Sequence, residues 1–435
     1  MKIAFATPVS PRSAIGRDSV AVTRALLERG HAVKIIATEI EPALDSVSDT
    51  GAEIIEWRKL PVDRLGDEFD VLITSIGDNY LYHGGIFSLL GRLPTVGIFH
   101  DFYLYNLFSG WLWQGGARPD DERARLHDLQ IAQTYGSQAA VDALAARSGV
   151  LPLADIAQRL PMTEWMAARC EGALAHSSFY LDRLRASCPG PIRAAAMPVA
   201  GRGISALELR TSPRLTMVTV GVMNPNKCID KAIAAIAASP ALSASLDYHL
   251  VGPIEPTERQ RLTALATDLG YGGLTIHGSV DDLVLERHLT AADIICCLRS
   301  PVLEGASGSA IEGLLAGRPL IVADAGFYSD LPDDLVFKVP ADIDVTSLTM
   351  QLERLAQDEP LRRRTGAAAC LWAQSHFNLQ AYVLALEGLM HDTVSAQAVL
   401  SVGRHLGQKL RGLGIAAQDP VVERVAAVLG EIFST

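Results

Sequence analysis

The stretch ADIICCLRSPVLEGASGSAIEGLLAGRPLIVADAG, residues 292–326, decides how the chain is to be read. Residues 294–298 are a short apolar run, the pattern of a strand buried on both faces. A loop of small residues follows, Glu304-Gly305-Ala306-Ser307-Gly308-Ser309, and then a short helical stretch that Gly317 and Pro319 bring to an end. Residues 320–323 return as a second strand. A strand, a glycine-containing loop and a helix amino terminus favour an anionic group such as a phosphate, because free backbone N–H groups and the helix dipole converge there.

Two carboxylates, Glu304 and Glu312, bracket this loop with seven residues between them. With a diphosphate on the N–H groups, one carboxylate can accept hydroxyl hydrogens from a sugar and the other from a ribose. For Glu312 a second reading stands beside this one: Ser309-x-x-Glu312 is also a capping box, in which the glutamate ties down its own helix. Glu304, in the loop after a buried strand, has no such alternative.

The E-x7-E spacing, the short helix and Ala316-Gly317-Arg318-Pro319 together resemble the donor site of the family 4 retaining glycosyltransferases. The fuller string is Arg299-x-Pro301, Ser307-Gly308-Ser309, Gly326 and Leu331-Pro332-Asp333-Asp334. It resembles a bacterial subgroup found in polysaccharide assembly. The resemblance implies the GT-B fold, two Rossmann-like parallel-sheet domains facing across a cleft. It implies a nucleotide diphosphate sugar as donor substrate, a glycan or glycolipid as acceptor, and no cofactor or metal. Glu304 would be catalytic, and Gly305, Ser307, Gly308, Ser309 and Glu312 would bind the donor.

At 435 residues the chain is too long for one core. The net charge of −11 argues against a general nucleic-acid binder, which needs clustered Lys and Arg. Six cysteines show no C-x-x-C pattern, and the adjacent Cys296 and Cys297 read as small hydrophobes of a buried strand. That composition suits a reducing cytoplasm. Residues 2–6 are too short for a signal core and read as a first strand, and no apolar run reaches the length of a membrane span.

Residues 1–40 read as a βαβ unit without the G-x-G-x-x-G fingerprint. Gly16 stands where the family's sugar-covering loop carries a glycine, although its usual neighbour glycine is Ile15 here. Strands at 71–75 and 95–99 end in Gly77-Asp78-Asn79, with His83 beyond, and in His100-Asp101. In an open parallel sheet, ligands bind outside the carboxyl ends of strands, so both clusters fall on the functional edge. The subgroup's G-D/N-N…H stretch and H-D pair imply Asn79, His83 and Asp101 on the acceptor side and His100 in catalysis. Residues 102–113, FYLYNLFSGWLW, read as core packing, with a membrane-interface patch as the alternative.

The second half opens with a strand at 215–220 and the turn Gly221-Val222-Met223-Asn224-Pro225-Asn226-Lys227, which lacks a Walker A pattern. It resembles the family's G-R-x-x-x-x-K turn, whose cations hold the donor diphosphate and in which Lys227 would act on the leaving group. Val222 replaces the arginine, and Arg299 is the expected substitute. Asp342-Ile343-Asp344 is formally a metal motif, but Asp344 reads better as a helix N-cap.

The expected domains are an acceptor-side unit over 1–199 with a helical insertion at 118–169, a nucleotide-sugar unit over 200–372, and closing helices over 373–435. The first of those helices crosses back, and the tail after Asp392 reads as a packed helix, with a membrane or partner contact as the alternative. The expected activity is retaining, metal-independent transfer of a hexose in surface polysaccharide synthesis. An epimerase or phosphorylase on the same fold, or a non-catalytic nucleotide-sugar binder, is the alternative. The expected place is the cytoplasm, with peripheral contact at the inner membrane face as an option.

Overall fold

The computed structural model describes residues 1–42, 50–116, 118–199, 213–415 and 419–433. The boundary expected at 200–214 lies, up to residue 212, outside the described residues.

Seven strands form one sheet: β1 (Lys2–Thr7), β2 (Ala32–Ala37), β3 (Glu53–Glu56), β4 (Val71–Ile76), β5 (Thr95–Phe99), β6 (Gly172–Ala175) and β7 (Ile192–Ala194). Six form another: β8 (Leu215–Val220), β9 (Leu246–Val251), β10 (Leu274–Gly278), β11 (Ile294–Cys297), β12 (Leu320–Ala323) and β13 (Phe337–Val339). The orders are β3-β2-β1-β4-β5-β6-β7 and β10-β9-β8-β11-β12-β13, and the pairings are parallel. In each sheet the winding reverses beside its first strand, between β1 and β4 and between β8 and β11. The crevice for a ligand opens there, beyond the carboxyl ends.

The central strands are the most apolar, and their bounds follow the sequence expectation closely; β4 is buried at every position. The edge strands β3 (EIIE) and β13 (FKV) escaped it, because a short strand with charged side chains carries little hydrophobic signal. The aromatic run forms a helix, Tyr105–Trp113, that buries Tyr105, Leu107, Phe108 and Leu112. Phe108 meets Trp165 edge-on at 5.0 Å between ring centroids, so the run is core. Asp344 caps the helix Val345–Gln357 by accepting from Ser347 N at 2.8 Å, as expected of an N-cap.

The helix Leu379–Gly412 returns to the first sheet. Its Tyr382, Val383, Leu386, Leu389 and Met390 are buried with Ile3, Phe5, Val71, Ile73, Val96 and Leu174. The expectation of a packed tail needs correction. After Thr393 no described residue of this helix is buried, and Val402 is 39% exposed. Geometry explains it: 34 residues of helix span about 50 Å, whereas a six-residue strand spans about 20 Å. The helix outruns the sheet, held past its rim by an ion pair between Arg404 and Glu171. Among the described residues no helix is long and apolar enough to cross a membrane.

Leu386, fully buried against the first sheet, tests this crossing. Leu386→Ala should destabilise the protein by about 2–5 kcal/mol in denaturant titration, as in a well-packed core. A loss under about 0.5 kcal/mol, the scale of a surface change, would show that the helix does not complete the first domain's core.

Candidate functional site

The second-domain half of the site is built on the turn after β11. The helix Gly308–Leu315 is capped by Ser307, whose Oγ accepts from Ala310 N at 3.3 Å. It therefore starts two residues earlier than a Ser309 cap would require. Glu312 sits in its second turn, which removes the capping-box reading. At the other end Gly317, with φ +69°, and Arg318 donate to Leu314 O and Gly313 O, a Schellman closure. The backbone N–H groups of Gly308 and Ser309 head this helix, and a Cβ at Gly308 would meet nothing nearer than Met197 at 3.9 Å.

Three side chains converge beneath that terminus. Arg299, 7% exposed, pairs through Nε with Glu304 Oε1 at 2.9 Å and donates to Leu298 O at 2.7 Å and Ser309 Oγ at 3.4 Å. Tyr328 donates its hydroxyl to the same Glu304 oxygen at 2.7 Å. Burial alone would raise the Glu304 pKa, but Arg299, Tyr328 and Lys227 overcome it and hold the carboxyl below its ordinary value. Arg299 is thus a buried partner of Glu304 and not a free replacement for an arginine at Val222, which is 58% exposed.

Lys227 is 6% exposed, and its Nζ donates to Val220 O at 2.8 Å. The next residue, Cys228, takes a left-handed conformation (φ 51°), so the chain turns sharply just after the lysine. Burial, then the nearby Arg299 charge, lowers the Lys227 pKa to about 7. Lysine and arginine therefore stand close enough to feel each other.

The first-domain half lies beyond β1, β2, β4, β5 and β6. His100 Nδ1 lies 3.3 Å from His176 Nε2, and His176 Nδ1 lies 3.3 Å from Ala195 O. Burial lowers both imidazole pKa values, that of His176 to about 4, so both rings are neutral. The network then assigns the protons: His176 donates to Ala195 O, and His100 donates to His176. His100 keeps a bare Nε2, an acceptor for a hydroxyl. Nothing in sequence spacing links His176 to His100.

Asp101 Oδ2 accepts from Asp78 N at 2.8 Å, and burial raises its pKa to about 7. Asp78 accepts from Asn106 N at 2.8 Å and Leu107 N at 3.1 Å, fixing the aromatic helix. His83 is buried with Nδ1 donating to Ser75 O at 2.9 Å, and a Cβ at Gly77 would lie 2.6 Å from its Nε2. It supports the Gly77 turn from below. Asn79 is exposed, with its side chain accepting from Leu81 N at 3.0 Å as a helix cap. Gly16 lies in the first turn of the helix Ala14–Glu28, where a Cβ would sit 2.8 Å from Pro8 O. Both Asn79 and Gly16 have full structural employment where they stand.

One group was missed altogether. Glu39, 4% exposed, accepts from Val9 N at 2.6 Å and Ser10 N at 2.8 Å through Oε1, and its Oε2 is buried without a partner. It borders a cavity of about 690 Å³ lined by Ser10, Pro11, Arg12, Leu81 and Tyr82 among others. Sequence offered only a glutamate after β2 as a signal.

The two halves touch through backbone. Asp101 and Glu304 form an antiparallel β-bridge. Phe102 N and Tyr103 N both donate to Leu303 O at 2.9 Å, and Gly305 N donates to His100 O at 2.8 Å. Ser178 donates to Asp330 from N and from Oγ, each at 2.6 Å. A Cβ on Gly305 would lie 2.6 Å from Tyr180 Oη and 2.9 Å from Phe99 O. Gly305→Ala should therefore lower stability by about 1–3 kcal/mol, read from thermal or denaturant unfolding. It should also speed proteolysis between the domains. Unchanged values for both would mean that the junction yields freely.

No curated protein matches the chain by sequence. Solved structures match nearly its whole length. Sucrose-phosphate synthase from Thermosynechococcus elongatus superposes with a TM-score of 0.60 at 17% identity, covering 91% of this chain and 100% of that one. Anabaena HepE, solved with UDP-glucose, gives 0.58 at 16% identity, with 91% and 100% covered. A glycosyltransferase from Rickettsia africae gives 0.62 at 13%, with 90% and 98% covered. At these identities the likeness is one of fold, and that fold is GT-B. Residues 214–358 match the family model described as Glycosyl transferases group 1. The chain is a two-domain GT-B protein whose second domain carries the group 1 glycosyltransferase signature.

Proposed function

We propose that this protein transfers a hexose, with retention, from a nucleotide diphosphate sugar to a hydroxyl of a glycan or lipid-linked glycan in surface polysaccharide synthesis. The observation that supports this is the meeting, at one β-bridge, of a half bearing Lys227, Arg299 and a helix amino terminus and a half bearing the neutral His100. Anabaena HepE, a fold relative, was solved with UDP and glucose, which agrees with such a donor. The diphosphate would lie on the N–H groups of Gly308 and Ser309, with Lys227 and the Arg299 edge beside it. Glu312, in the second turn of that helix, would take the ribose hydroxyls. His100 Nε2 would accept from a sugar hydroxyl, and the cavity by Glu39 would receive the acceptor.

In the reaction the bond from the anomeric carbon to the β-phosphate oxygen breaks and a bond to the acceptor oxygen forms. The acceptor proton passes to the departing diphosphate. This route suits the site because Asp101 and Glu304, the carboxylates at the junction, are both engaged in hydrogen bonds. Negative charge grows on the β-phosphate as the bond breaks, and fixed cations then help the transition state more than the ground state. Lys227 would supply most of that charge without a metal, with Arg299, paired to Glu304, beside it.

Incubating the protein with a panel of nucleotide sugars and glycan acceptors should show transfer from one of them, undiminished by EDTA. Lys227→Ala should cut turnover at saturating donor by at least about 100-fold. Near-normal turnover in the variant would remove Lys227 from the chemistry; an epimerised or phosphorolysed donor would replace transfer by another reaction.

The depressed Lys227 pKa also sets a pH dependence. In the free protein the lysine loses its proton above about 7, whereas a bound diphosphate raises that value. Binding then takes up a proton, and affinity for a nucleoside diphosphate should fall by up to about tenfold per pH unit above 7. Calorimetry in two buffers of different ionisation enthalpy reads the proton directly. Lys227→Met should flatten the profile; a flat wild-type profile would mean that the lysine stays charged in the free site.

A further inference from the structure

We infer that the second domain holds a three-histidine site for a zinc-class divalent ion, between its edge strand and the helix that covers it. His249 on β9, His277 on β10 and His288 in the helix Asp282–Ala291 each offer a ring nitrogen, and these atoms all lie within 4.8 Å of one another. Ring centroids are 4.3 Å apart for His277 and His288 and 5.0 Å for His249 and His277.

The backbone brings them together. His249 pairs in register with Thr275, two residues before His277, so both histidines leave the same face of the sheet. The register shifts between Ile276 and Gly278, at His277 itself, and such an irregularity re-aims a side chain. The helix lies on this face through Leu285 and Leu289, which join a core with Val218, Val220 and Val251. That packing turns His288 towards the two strands.

A second observation points to a ligand. His249 Nδ1 is buried and has no hydrogen-bond partner among the described residues. A buried polar nitrogen needs either a partner or a metal that orders its ring. In a tetrahedral zinc site the Zn–N bonds are about 2.0–2.1 Å, which places ligand nitrogens about 3.4 Å apart. His277 is exposed and can rotate to close the set, with water as the fourth ligand. Neutral imidazole donors select zinc and its late first-row neighbours. Lys227 and Arg299 stand at the ends of β8 and β11, with β9 between that pair and β10. An ion there lies one strand away from that pair and ties edge strand β10 to its helix.

The full chain, stripped with a chelator and dialysed, is titrated with Zn²⁺ for stability and with Co²⁺ for spectroscopy. One equivalent of Co²⁺ per chain should give visible d–d bands without thiolate charge transfer. Saturating Zn²⁺ should raise the melting temperature by at least about 3 °C. His277→Gln, at an exposed position that folding does not need, should weaken Co²⁺ binding at least about tenfold, as should His288→Ala. Should His288→Ala fail to fold, His277→Gln alone decides. Uptake well below one equivalent, thiolate bands, or binding unchanged in His277→Gln would overturn the site and leave only adventitious binding at other histidines.

Discussion

The geometry of the site rests on a short backbone contact between domains: residues 303–305 lie against residues 100–103 as a strand fragment would. Backbone pairing of this kind needs no particular side chains, but it needs close approach. Gly305 provides it, because Tyr180 and the Phe99 carbonyl occupy the space any Cβ would require. Once the contact forms, His100 and Glu304 are brought to the same junction from opposite sheets. Ser177, which donates to Gly305 O, and Ser178, paired with Asp330, hold it from a third strand end.

Electrostatics at that junction are set by burial. Arg299, Lys227 and Glu304 are held where water screens them little, so each reports on the others. A buried ion pair adds little net stability, yet removing one partner strands the other at a cost of about 3–5 kcal/mol. Arg299 and Glu304 are therefore a positioned unit, locked further by Tyr328, whereas Lys227 donates to a neutral acceptor, Val220 O. It feels the cation beside it and stands ready to accept an anion's charge. The first-domain side differs: its histidines are neutral, and the hydrogen-bond chain through His176 decides which nitrogen of His100 faces outward.

The same distinction separates what sequence alone could and could not show. Buried parallel strands announce themselves as apolar runs, which is why β5, β8 and β12 coincide with their expected bounds. Helix caps at Asp344 and Gly317 were legible because capping is local chemistry between near neighbours. Resemblance singled out the loop at 304–309, Lys227 and the His100-Asp101 pair, since those motifs are contiguous in the chain.

What failed to show were relations between distant residues. Arg299 read as a free cation because its partner, Glu304, is found only when the loop folds back. Ser309 read as a cap because the helix start is fixed by packing and Ser307, not by the S-x-x-E pattern. His176, Tyr328 and Glu39 carry no signal of their own; they matter through groups that other strands bring to them. The tail read as packed because its periodicity is helical, whereas burial depends on where the sheet ends. Sequence by itself determined the class of fold and the edge on which the polar strand-end residues gather, because alternation and strand-end placement are written locally. Only tertiary structure decided which charges pair and which nitrogens point outward, because those are set by contacts between segments that the chain keeps far apart.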